Sequence, residues 1–246
     1  MNNDKRYQIY ADFQKRFPLE KLPEMTLEEY TNLERNDSFC YWIESKTNSL
    51  GSFWGGSSFK FGIYRYKERP NSRKIVSDDK YAWYRFYDVN SAEEAFALVK
   101  DSIIRVANAA RNGNIDDIYD IDKIKVLGTA YKWKIAFLYS DMRLLPIYKL
   151  DYLRIAATLE GINEAYKLSP ATIQLELYKK RGHRSVMDYY DELIHKVLSI
   201  VRTKKKTINE ADAIIDEIFE TPAVHEPEIH SKQHWWLVAN PKYWSF

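Results

Sequence analysis

Three stretches of this sequence set cations beside aromatic rings, the pairing that phosphate attraction and base stacking need. In the first, Lys60, Arg65, Lys67, Arg69, Arg73 and Lys74 follow or flank an aromatic run, Phe59 to Tyr64. In the second, Lys132 and Lys134 flank Trp133. The third, Lys179, Lys180, Arg181, His183 and Arg184, lies where a helix gives way to a turn. From these stretches and the nearby tryptophans, the candidate nucleic-acid-binding residues are Trp42, Trp54, Lys60, Tyr64, Arg65, Lys132, Lys134, Lys180, Arg181 and Arg184. The competing reading, that these cations are solvated faces around an ordinary core, stays open at this point.

Other chemistries leave little trace. No G-x-x-x-x-G-K-[ST] phosphate loop is present; Gly55-Gly56-Ser57-Ser58 comes nearest and lacks the lysine that would reach phosphate. That cluster reads either as a flexible turn or as a loop whose amides, with Trp54, touch a ligand. Asp78-Asp79, Asp116-Asp117 and Asp120-Ile121-Asp122 could hold a metal by composition, but each sits beside Lys or Asn and reads as a solvated turn. The histidines at 183, 195, 225, 230 and 234 follow no zinc-site spacing. One cysteine, Cys40, excludes an internal disulfide. No Ser or Cys sits in a nucleophile elbow. The expectation is a chain without catalytic residues, metal or cofactor.

The candidate residues need elements to carry them. Period-2 alternation puts strands at 39–44, 59–64 and in a run with Tyr81, Trp83 and Tyr87, and another at 132–140 with Trp133, Ile135, Phe137 and Tyr139 on one side. If the Phe and Ile faces of these strands build the core, Trp42, Trp54, Lys60 and Tyr64 point outward together as a stacking face near the glycine-rich loop. Trp133 shares its face with Ile135 and Phe137 and is expected to be buried. Pro146-Ile147-Tyr148 reads as one more short strand. Four polar caps announce helices: Thr26 with Glu29, Ser91 with Glu94, Ser185 with Asp188, and Thr207 with Glu210. Phe96, Val99, Ile103, Val106 and Ala110 share one face of the second, which Asn112-Gly113 stops. A short helix over 4–16 and another through Leu153 and Ala156, ended by Gly161, complete the set. Strands and helices without strict alternation predict an α+β fold: a mixed or antiparallel sheet of aromatic-rich strands packed with several helices, plus a C-terminal helix and tail.

With 45% hydrophobic and 29% charged residues, the chain can build a core and is not of disordered composition. Its formal net charge of +2 does not decide on a nucleic-acid ligand, because a local patch can bind phosphate. No signal peptide is visible at Met1-Asn2-Asn3-Asp4-Lys5-Arg6, and no apolar run spans a membrane, so a cytoplasmic protein is expected. The expected domains are an α+β unit over 1–203, a helix and linker over 204–233 with Pro222 and Pro227, and a final segment over 234–246. In that last segment Trp236-Leu237-Val238-Ala239 reads as a strand with nothing after it to pair with, so the sequence looks cut a few residues into a further domain.

Two stretches carry a family resemblance. One runs from Phe17-Pro18-Leu19-Glu20 through Thr26-Leu27-Glu28-Glu29-Tyr30 to Gly51-Ser52-Phe53-Trp54-Gly55-Gly56-Ser57-Ser58-Phe59-Lys60-Phe61-Gly62-Ile63-Tyr64; the other is Tyr131-Lys132-Trp133-Lys134-Ile135-Ala136-Phe137-Leu138-Tyr139-Ser140. Together they resemble the N-terminal region of McrB-like AAA+ NTPases, the motors of modification-dependent restriction systems. The final segment resembles the opening of an EVE domain, a PUA/YTH-like module. The resemblance implies a bacterial antiphage-defence protein, DNA (modified or not) or RNA as ligand, and a McrC-like nuclease subunit as partner through an AAA+ domain that this sequence does not contain. It supplies no site residues. The expected function is a non-catalytic recognition and specificity module coupled to that motor. The alternative is a protein-interaction domain that docks a nuclease subunit or other partner without touching nucleic acid.

Overall fold

Three of the four polar caps start helices at the residues they mark. The computed structural model describes residues 3–34, 36–53 and 57–219, with side chains placed as far as residue 203. Within it Thr26 caps α2 (Leu27–Tyr30) in a reciprocal capping box with Glu29, and Ser91 caps α4 (Ala92–Asn112), the helix ending on left-handed Gly113. α1 (Asn3–Arg16) and the one-turn α3 (Phe39–Tyr41) precede α4. After it come α5 (Ile115–Lys123), α6 (Thr129–Leu138), α7 (Leu150–Leu159), α8 (Pro170–Arg181) and α9 (Val186–Phe219). Ser185 caps α9, its hydroxyl accepting from the Asp188 amide. The fourth cap, Thr207, starts nothing: lysine is a good helix former, and α9 continues through Lys204-Lys205-Lys206. The chain divides into two compact units, Met1–Val201 and Arg202–Phe246, and all that follows concerns the first. The linker prolines, Trp235, Trp236 and Trp244 lie outside the described residues.

The core is built on α4 and α6. Phe96, Val99, Ile103, Val106 and Ala110 are all buried, as their spacing predicts. α6 packs on α4, and every residue from Tyr131 to Leu138 is buried. Against α4 also lies a small antiparallel sheet of β1 (Ile63–Arg65), β2 (Ile75–Ser77) and β3 (Tyr81–Tyr84), in the order β1-β3-β2. Ile63 pairs with Trp83 on the inner face. Tyr64 pairs with Ala82, and Ile75 with Tyr84, on the other.

The α+β class is as expected, yet three expected strands are not there and a fourth, 59–64, is cut back to its end. Residues 39–44 are helical: Ser38 caps α3 by accepting from the Tyr41 amide, and a π-helical turn, Trp42–Lys46, continues it. Phe39, Cys40 and Ile43 turn inward, which is helical spacing hidden under β-forming residue types. Residues 58–61 form a 3₁₀ turn, and β1 starts only after Gly62, whose positive φ ends that turn. Residues 132–140 are mostly α6. A helix buried all round has no apolar period, so the alternation of lysine with rings was no guide there. Pro146-Ile147-Tyr148 is irregular. Two elements went unread: the short edge strand β2, and α5, where Ile115, Ile118 and Ile121 sit among aspartates.

Candidate functional site

A groove of about 900 Å³ lies between the 31–45 segment and the 58–68 segment. α3 and its π turn supply Cys40, Tyr41, Glu44 and Ser45; the 3₁₀ turn supplies Ser58 and Lys60; β1 and the chain beyond it supply Tyr64, Arg65, Tyr66 and Lys67. The Lys60 ammonium pairs with the Glu44 carboxylate, lies 3.3 Å from the Phe53 carbonyl oxygen and sits 4.8 Å from the Phe53 ring centre. Arg65 Nη1 donates to both oxygens of Glu28 at 2.8 Å, and the Tyr81 hydroxyl donates to the same carboxylate. Burial raises the Tyr64 hydroxyl to about 12, with Tyr84 and Tyr66 adding to it, so at neutral pH it stays a neutral donor.

Cys40 closes the floor. Its neighbours are Tyr30 and Tyr131, whose hydroxyls lie 3.0 Å apart. Burial drives the Cys40 thiol far up, against the hydrogen bonds from those tyrosines, and drives both tyrosines well above their ordinary value. A thiol held protonated is a poor nucleophile. The floor is therefore inert polar packing.

The ten candidate residues scatter. Lys60, Tyr64 and Arg65 line the groove. Trp42 does not: it is half-buried, packs on Phe13 and Phe17, and donates its indole N–H to Asp37 at 2.9 Å. Trp54 lies outside the described residues. The outward stacking face with Trp42 as a member is thus not formed. Lys132 and Lys134 are not phosphate-facing either, because both are core residues. Lys132 Nζ donates to the Asp122 and Ile124 carbonyls, each at 3.0 Å. Lys134 Nζ donates to the carbonyls of Thr47, Leu50 and Gly51 at 2.8, 3.0 and 2.8 Å, with the Tyr148 ring 5.0 Å away. Burial holds its pKa well below the usual lysine value, yet three acceptors match the three hydrogens of the ammonium form. Trp133 is buried as expected, its N–H on Asp122. On the far patch Lys180 is exposed, Arg181 donates to the Met142 carbonyl and covers the Tyr178 ring, and Arg184 pairs with Glu192 at 2.8 Å.

Carboxylates that might have held a metal have other occupations. Asp78 accepts from the Lys80 and Tyr81 amides in a turn, Asp120 pairs with Lys123, and Asp122 accepts from Trp133 and from the Ala171 amide. Among the described residues no group of three or more His, Cys, Asp or Glu is placed to hold a metal ion. Nor, among them, is any helix long and apolar enough to cross a membrane.

Sequence reading missed Glu44 and Tyr66. Glu44 is 16 residues from Lys60 and gave no local signal. Tyr66 was legible, since it continues the period of Tyr64. No protein-family model matches this chain, and no curated protein or solved structure does either.

Proposed function

We propose that the Met1–Val201 unit is a non-catalytic recognition module that takes a nucleobase, unpaired or turned out of a duplex, into the groove between α3 and β1. One observation carries this reading: Tyr64 and Tyr66, both on one side of the strand, line a groove of nucleotide scale beside Lys60 and Lys67. Rings offer the stacking surface and the ammonium groups offer phosphate a partner. Ser38, Tyr41, Glu44 and Ser45 on the opposite wall carry the hydroxyl and carboxylate groups that supply donors and acceptors for a base edge. The protonated Cys40 thiol and the engaged aspartates support recognition rather than turnover. With the resemblance to McrB-like NTPases, the module fits a restriction-type antiphage defence protein that senses DNA, modified or not, and passes binding to an AAA+ motor and its nuclease subunit.

A second reading has one observation in its favour. Lys60 and Arg65 are already paired inside the domain, with Glu44 and Glu28. That suits a surface for docking a protein partner. An electrophoretic shift with modified and unmodified DNA at two salt concentrations separates the two. The recognition reading expects retardation that weakens as salt rises, and weakens again in Lys67→Glu with the melting temperature unchanged. No retardation at low salt with any nucleic acid would leave only the docking reading.

A further inference from the structure

We infer that the outer face of the three-stranded sheet is a track for single-stranded nucleic acid that leads into the groove, an inference that rests on the recognition reading above. The face carries a ladder of rings. Phe59 lies 5.4 Å from Tyr64 and 6.4 Å from Tyr84, and Tyr84 lies 5.1 Å from Phe86. Tyr64, Ile75 and Ala82 form the floor, a small apolar cluster separate from the main core, with Phe59, Tyr66 and Tyr84 packed on it and half-buried. Phe86, at the end of the ladder, is 63% exposed. Tyr64 and Tyr66 belong to this face and also line the groove, so the two surfaces are continuous.

The arginines of the domain are held in two ways, by carboxylates or, as for Arg143 and Arg181, by backbone carbonyls. Arg6, Arg16, Arg65, Arg111 and Arg184 all pair with carboxylates. Arg69 and Arg85 instead are clipped to neutral acceptors. Arg69 donates to the Ser77 hydroxyl and to the Ser77 and Asp78 carbonyls; Arg85 donates to the Arg73 and Ile75 carbonyls. These bonds fix the guanidinium groups along β2 without neutralising them. Residues 65–85 hold seven Lys or Arg against three Asp or Glu. A ring ladder bordered by fixed, uncompensated cations complements a chain of phosphates with open bases. A duplex keeps its ring faces inside its own stack and cannot use such a ladder, whereas a single strand can.

The test is fluorescence anisotropy of the full chain with labelled single-stranded DNA, single-stranded RNA and the matched duplex, at two salt concentrations. Single strands are expected to bind more tightly than the duplex. Phe86→Ala should weaken them roughly 5- to 150-fold, the range for one lost stack, while thermal melting reports an intact fold. Arg85→Gln should weaken binding and lower the slope of log affinity against log salt by about 0.7, one phosphate contact on a single strand. A preference for RNA over DNA, or the reverse, identifies the strand and supports the track in either case. If duplex binds as tightly as single strand, or if Phe86→Ala and Arg85→Gln leave single-strand affinity unchanged while Lys67→Glu abolishes it, the track is wrong and the groove reading survives. If neither strands nor duplex bind the full chain, both fail together.

Discussion

Lys132-Trp133-Lys134 and Phe59-Lys60-Phe61 read alike: lysine and ring alternating in a short apolar run. They end in opposite surroundings. The first lies in α6, buried on every side, with each ammonium received by backbone carbonyls. The second lies in a 3₁₀ turn at the lip of an open groove, its ammonium paired with Glu44. What separates them is the supply of acceptors nearby. The turn from Thr47 to Gly51 turns three carbonyls toward α6, and Lys134 donates to all three, beside the Leu50 amide on Thr47 and the Tyr148 hydroxyl on Leu50. A lysine can thus serve as a core donor wherever a buried turn has carbonyls to satisfy.

The largest disturbance of that buried region should come from alkali. Tyr10 and Tyr190 are raised to about 12, and Tyr30, Tyr131 and Tyr148 well above their ordinary value, chiefly by burial. Below about pH 10 both folded and unfolded chains keep these protons. Above it the unfolded chain releases them and the folded chain does not, so stability falls as pH rises, by about 1.4 kcal/mol per unit for each such tyrosine. Lys134 acts with the opposite sign, but only until an unfolded lysine has itself lost its proton. Tyrosinate absorbance and circular dichroism followed together from pH 9 upward should show these tyrosines ionising in step with unfolding. Smooth ionisation of all tyrosines before any loss of ellipticity would mean the buried region is open to water.

Lys134→Ala comes next. It takes a donor from three buried carbonyls, of which Thr47 keeps the Leu50 amide and Leu50 keeps the Tyr148 hydroxyl, and leaves a void beside Tyr148, for an expected loss of about 3–5 kcal/mol in a urea titration. Gly51→Ala attacks the same turn from its backbone. Gly51 has φ +83°, and a Cβ there would stand 2.2 Å from the Pro146 carbonyl oxygen. A cost of about 2–4 kcal/mol is expected. A stable Gly51→Ala protein would show that the turn is not locked onto the Pro146 segment.

Helix starts were legible in the sequence because a cap is local chemistry: Ser91 and Ser185 act on amides three residues away. The face of α4 was legible because one side is core and the other is water. α6 was not, since its two lysines reach carbonyls at Thr47 and Asp122, far from anything a window around residue 134 contains. Of the site, the Lys60, Tyr64 and Arg65 side of the groove could be read from residue types alone. The opposite wall could not, because Glu44 sits in a stretch whose aromatic and β-branched residues point to a strand while its burial follows a helix. The cations around β2 were visible as composition, but only the structure shows that Arg69 and Arg85 bond neutral acceptors there.

The smallest expected effect gives the cleanest contrast between the two lysine runs. Lys60 and Glu44 retain 17% and 23% side-chain exposure. Removing the ammonium leaves Glu44 at the edge of an open groove, where water can take over its hydrogen bonds. Lys60→Ala also loses the ammonium's position over the Phe53 and Phe61 rings, at 4.8 and 5.3 Å. Together these amount to about 1 kcal/mol, the scale of a partly solvated ion pair and one cation–π contact. The urea midpoints of Lys60→Ala and Lys134→Ala, taken at equal slope, should therefore differ severalfold in their displacement from the parent. Equal displacements would make Lys60 a core donor like Lys134, and the groove would lose the cation that sets it apart from the interior.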